Sequence, residues 1–93
     1  MTMDHTQRVV AAMHRATADQ LRAERAAAHL TIEAAARASG LSRSTIMRLE
    51  SGERPANVDQ IAALGSAYGL GTHEILTRAY ERTVSDGSAG RAV

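Results

Sequence analysis

Gly40 and the residues on either side of it constrain this chain more than any other segment. Residues 30–54, LTIEAAARASGLSRSTIMRLESGER, hold two short amphipathic stretches separated by one glycine. Thr31 is placed to cap the first, with Ala35 and Ala38 inward. Gly40 follows its last turn, where a residue without a Cβ takes the left-handed conformation cheaply. Ser42 is placed to cap the second stretch. Leu41, Ile46 and Leu49 form its apolar stripe and leave Arg43, Ser44, Met47 and Arg48 together on the opposite side, at i, i+1, i+4, i+5 spacing. Alanines at 34, 35, 36 and 38 keep the first helix thin, so the second can cross it closely. Such a crossing is a helix-turn-helix arrangement, whose second helix can enter a major groove and present its first turns to base edges.

The pattern G-L-S-R-S-T-I-x-R-L-E-x-G (Gly40 to Gly52) is followed by Arg54, a Pro, a further helical stretch Asn57 to Tyr68, and then G-L-G-T-H-E-I-L. From about Leu21 to Leu76 the chain therefore resembles the lambda repressor/Cro-like regulators, also called the xenobiotic-response-element type. The resemblance implies an all-α fold, a compact five-helix lambda repressor-like DNA-binding bundle, here with an N-terminally extended first helix. It also implies a regulator of phage or bacterial repressor type bound to double-stranded operator DNA. By the same resemblance Arg43, Ser44 and Arg48 sit where the family reads bases. Ser42, Ser51, Gly52 and Arg54 sit where it holds phosphates, and Arg25 and Glu50 match a structural ion pair. Met47, on the same outer face, is either a reader of a thymine methyl or a groove-facing spacer. Three positions depart from the family pattern. Ile32 stands where a Gln usually braces a phosphate and the first reading side chain. His29 stands where a Gly commonly ends the first helix, so a positive φ there would be strained. Pro55 comes one place earlier than is common.

Ninety-three residues make one domain with room for one core, small enough that oligomerisation would add stability. There is no Cys, so neither disulfides nor thiolate metal sites arise, and no apolar run is long enough for a membrane span or a signal peptide. A cytoplasmic, nucleoid-associated protein is the expectation. The formal charge is only +1, which excludes a polycationic condenser of DNA. Affinity must then come from a few placed cations, all of them Arg, each able to fork onto a phosphate or a guanine.

Residues 4–28 contain no Gly or Pro and are rich in Ala and Arg, which favours helix. One continuous helix and a break at Thr17–Gln20, where Thr17 and Gln20 have capping-box spacing, are both compatible with the pattern, and the continuous helix is preferred. The organisation expected is an N-terminal helical arm over 1–18, the helix-turn-helix DNA-binding domain over 19–82 and a disordered tail over 83–93. The arm offers either extra packing on the bundle or a dimer contact. Asn57 is placed to cap the fourth helix, with Gly69 closing it, and Thr72 to cap the fifth.

The histidines 5, 14, 29 and 73 share no helical face at i, i+4 spacing, so no metal and no cofactor are expected. The serines have no general base at a catalytic spacing, so no catalytic residue and no enzyme are expected. The partners expected are operator DNA and a second copy of the chain, since one half-site gives modest specificity. The alternative is an antitoxin-like or adaptor module whose main partner is another protein.

Overall fold

The computed structural model describes residues 2–87, and those residues form five helices and no strand. They are α1 (His5–Ala27), α2 (Ile32–Ser39), α3 (Arg43–Ser51), α4 (Val58–Tyr68) and α5 (Thr72–Ser85).

Free of Gly and Pro, α1 runs unbroken. Asp4 caps it, accepting from the Gln7 N–H at 2.7 Å, while Gln7 Oε1 accepts from the Asp4 N–H at 3.0 Å. The competing start at Thr17 is unused because the Thr17 hydroxyl donates to the Met13 carbonyl at 2.7 Å, inside the helix. At the other end the His29 N–H donates to Ala26 and the Leu30 N–H to Arg25, the two bonds of a Schellman closure, which places His29 at φ +58°. A side chain in that left-handed position costs roughly 1 kcal/mol relative to glycine. At 23 residues, α1 spans roughly 34 Å and sets the 40 Å long axis of the molecule.

Each helix contributes to a single core: Leu21 from α1, Ala35 from α2, Ile46 and Leu49 from α3, Ile61 and Leu64 from α4, and Ile75 from α5. Along this core α1 lies against α5 and crosses α3, while α2 packs on α3 and α4. The buried stripe of α2 is Ile32, Ala35 and Ala36. Ala38, expected inward, is exposed, because by that point the helix has rotated past the stripe.

The fifth helix departs from expectation at both ends. Its N-cap is Gly71 rather than Thr72, and the Glu74 carboxylate accepts from the Gly71 N–H at 2.8 Å. At its C-terminus it continues to Ser85 with Thr83 buried, so residues 83–85 belong to the helix and not to a disordered tail. Asp86 and Gly87 form a turn after it, and the rest of that expected tail, from residue 88, lies outside the described residues. Likewise the boundary expected between 18 and 19 falls inside α1, beside the buried run Ala16, Thr17 and Ala18.

Two polar systems lock α1 in place. Toward α5, Gln20 Nε2 donates to the buried Glu24 carboxylate at 2.6 Å, Arg78 donates to the same oxygen at 2.7 Å, and Arg82 donates to Gln20 Oε1. The paired carboxylate holds the Arg78 guanidinium more firmly protonated than usual. Toward α3, Arg25 Nε and Nη2 donate to the two oxygens of Glu50 at 2.8 and 2.9 Å, and Nη1 donates to the Leu30 carbonyl at 3.0 Å. This bidentate pair raises the Arg25 pKa, its hydrogen bond to Glu50 outweighing the opposing effect of burial. The side chains are 20% and 7% exposed.

The two halves of this pair are unequal. Deleting Arg25 strands a buried carboxylate, whereas deleting Glu50 leaves a guanidinium with a remaining carbonyl and a route to water. Arg25→Ala is therefore expected to cost about 3–5 kcal/mol. Glu50→Ala should cost less, roughly 1–3 kcal/mol, and urea melts of both variants and the double mutant check the order and the coupling.

Next to the pair, the Tyr68 hydroxyl is buried without a hydrogen-bond partner among the described residues. Burial, then the Glu50 charge, pushes its pKa up to about 12 from 10.0. Because the fold prefers the neutral phenol, this contribution is complete below pH 10 and is lost as pH rises toward 12. Tyr68→Phe should leave neutral-pH stability equal or slightly higher and flatten the alkaline decline of the melting temperature between those two values.

Candidate nucleic-acid interface

An eight-residue and a nine-residue helix joined by three residues need good ends, and both have them. Thr31 accepts from the Ala34 N–H at 3.0 Å to start α2, and Gly40 at φ +78° ends it. Ser42 accepts from the Thr45 N–H at 3.1 Å to start α3, and its own hydroxyl donates to Thr45 Oγ1 at 2.8 Å. Gly52 at φ +79° ends α3, and a Cβ built there would lie 3.9 Å from Ala18 on α1, so α1 passes close beneath the exit turn.

With Ile46, Leu49 and Glu50 inward, the opposite side of α3 faces solvent. Arg43, Ser44, Met47 and Arg48 are all exposed along it, and Met47 retains 45% of its surface. A shallow depression of about 340 Å³ runs beside them, lined by Ser44, Met47, Arg48, Ser51 and Glu53. The side-chain set expected to read bases thus lies on one continuous exposed strip.

Of the residues expected to hold phosphates, Ser42 and Ser51 are exposed but already bonded. Ser42 is the cap just described, and the Ser51 hydroxyl donates to the Arg48 carbonyl at 3.1 Å and accepts from the Glu53 N–H at 3.3 Å. Gly52 is half-buried, and Arg54, exposed after the turn, makes no side-chain ion pair among the described residues. The Arg54 N–H returns to the Arg48 carbonyl at 3.3 Å, which fixes the backbone direction ahead of Pro55.

Two carboxylates to which the sequence pattern assigns no role stand at this surface. Glu33, in the first turn of α2, accepts from Arg43 Nε at 2.7 Å, and Glu53 lies 3.4 Å from Arg48 Nε. All four side chains are about half exposed or more. The Glu33 carboxyl is held below the ordinary range, first by a bond from its own backbone N–H at the open end of the helix and then by Arg43. Spacing alone offers no signal for these contacts, because ten residues and a turn separate Glu33 from Arg43.

Among the described residues no group of three or more His, Asp or Glu side chains is arranged to hold a metal ion, and no helix is long and apolar enough to cross a membrane. Comparison with known families finds a match to a helix-turn-helix domain over residues 16–77. No curated protein and no solved structure matches the chain. The matched span opens at Ala16, the first buried residue of α1, and leaves out the exposed and half-buried turns of that helix before it.

Proposed function

The chain belongs to the helix-turn-helix domain family, and from that premise we propose that it is a sequence-specific, DNA-binding transcriptional regulator of phage or bacterial repressor type. In this reading α3 enters the major groove of operator DNA. The observation that carries it is the single exposed strip of Arg43, Ser44, Met47 and Arg48 on a helix whose other side is locked into the core.

Arg43, in the first turn, offers paired donors to guanine O6 and N7. Ser44 contacts a base edge or a nearby phosphate, Met47 packs on a thymine methyl, and Arg48 takes a second base or a phosphate. Arg54, beside the Gly52 turn, takes the sugar-phosphate chain, and Ser42 and Ser51 join it by turning their hydroxyls away from Thr45 and the Arg48 carbonyl, contacts that set register without reading sequence. The regulator acts by occupying its site, not by catalysis, and is placed with the nucleoid. It binds as a symmetric homodimer on a palindrome, with half-sites about 34 Å apart.

A second reading, a protein-interaction module of antitoxin or adaptor type, is favoured by one feature. An apolar groove between the first turns of α1 and the start of α4 is lined by Val9, Val10, Met13, Val58, Ile61 and Leu76. Co-purification of a small protein partner, with no motif returned from random DNA, would select it.

In a selection on random DNA, wild type is expected to return a palindromic motif, and Arg43→Ala is expected to lose base preference at one position of each half-site. Arg54→Ala should instead weaken all sequences alike and lower the salt slope by about one. An unchanged motif for Arg43→Ala would remove Arg43 from base reading.

A further inference from the structure

Resting on the DNA-reading role of α3, we propose that Glu33 is a positioning residue that sets how Arg43 reads its base, holding the guanidinium by its Nε edge and keeping it off the phosphates.

A free arginine on a helix surface has a long flexible stem, and near DNA the phosphates compete with the bases for it. Here that freedom is narrowed. Arg43 Nε donates to Glu33 Oε2 at 2.7 Å, and both residues are anchored in first helical turns, Glu33 as the second residue of α2 and Arg43 as the first of α3. The offset between those turns is fixed by the Thr31 and Ser42 caps, the Gly40 turn, and the packing of Ala35 and Ile46 in the core. The backbone positions from which the two side chains meet are therefore fixed, and the carboxylate stands within reach of Nε.

Guanidinium carries five N–H donors in a rigid plane. With Nε taken by Glu33, the two terminal nitrogens remain, side by side, and that pair matches the spacing of guanine O6 and N7. The carboxylate also carries charge. It repels phosphate oxygens, which lowers the gain from moving Arg43 onto the backbone, and its depressed pKa keeps it ionised across the neutral range. The fold does not require the contact, because a pair with 60% and 55% of its side chains exposed contributes little to stability. Arg48 and Glu53 repeat the arrangement only loosely, at 3.4 Å and with Glu53 on the turn after α3. The sharpened discrimination is accordingly assigned to the Arg43 position.

A bracing carboxylate predicts that specificity and general affinity move in opposite directions when it is removed. The test is selection on random DNA, together with binding to a fixed non-cognate duplex over a salt series, using the full chain as wild type, Glu33→Gln, Glu33→Ala, Arg43→Ala and the double mutant. Glu33→Ala is expected to reduce discrimination at the Arg43 base roughly five-fold, while non-cognate binding strengthens and its salt slope steepens by about one as Arg43 reaches a phosphate. Glu33→Gln keeps an acceptor without the charge, so it should hold more of the base preference than Glu33→Ala while still binding non-cognate DNA more tightly. In the Arg43→Ala background, removing Glu33 should change nothing at that base. Melting temperatures within a degree or two of wild type show that the fold is intact, and a merely structural Glu33 would instead lower specific and non-cognate binding together. Unchanged base preference in both Glu33 variants, alongside a changed one in Arg43→Ala, overturns this proposal and leaves the DNA-reading role standing. An unchanged motif in Arg43→Ala, or no motif from wild type, overturns both.

Discussion

The bidentate contact between Arg25 and Glu50 is the constraint on which the remaining architecture rests. Glu50 closes the inner side of α3, one residue before the helix ends, and Arg25 sits in the last turn of α1, just before its Schellman closure. One guanidinium therefore bonds the far helix through two nitrogens and the turn at Leu30 through the third. The exit of α1, the entry to α2 and the axis of α3 are tied at a single point. Apolar packing of Leu21, Ile46 and Leu49 supplies the attraction but is not directional. The apolar stripe decides which side of α3 faces outward, and the charged pair pins that rotation at the end of the helix.

From that point order spreads along α1. Glu24, one residue before Arg25, binds Arg78, and Gln20, one turn earlier, binds Arg82, so α5 is held to the same helix by polar contacts. Beyond Ala16 toward the N-terminus the helix has no such anchors among the described residues, and Val9 and Val10 are exposed. The outcome is a helix with a locked half under α3 and first turns that expose an apolar side.

What could be read from the sequence was the part governed by neighbours in the chain. Thr31, Ser42, Asn57, Gly40 and Gly69 cap or close helices through bonds spanning three or four residues, so identity and spacing suffice. The five-helix fold and the outward set on α3 follow from those ends plus the apolar stripe. Arg25 and Glu50 were visible only through a resemblance, since 25 residues separate them. Where local rules compete, sequence and structure part: Gly71 takes the cap that Thr72 offers, because Glu74 reaches back to its N–H. Thr83 to Ser85 look like the start of a polar tail, yet α1 gives Thr83 a surface to be buried on. The Glu33–Arg43 contact and the Gln20–Glu24–Arg78–Arg82 network were silent, because they exist only once helices are placed in space.

The central claim is that the exposed side of α3, held in rotation by Arg25 and Glu50, is the surface that meets DNA. Titration of the isotopically labelled protein with its selected duplex, followed by two-dimensional NMR of backbone amides and arginine Nε–H groups, addresses it directly. The largest shifts are expected on residues 42–54 and on the Nε–H signals of Arg43 and Arg48, while the Arg25 Nε–H signal stays in place. Shifts confined to Val9, Val10, Met13, Val58 and Ile61, with α3 unmoved, would contradict it.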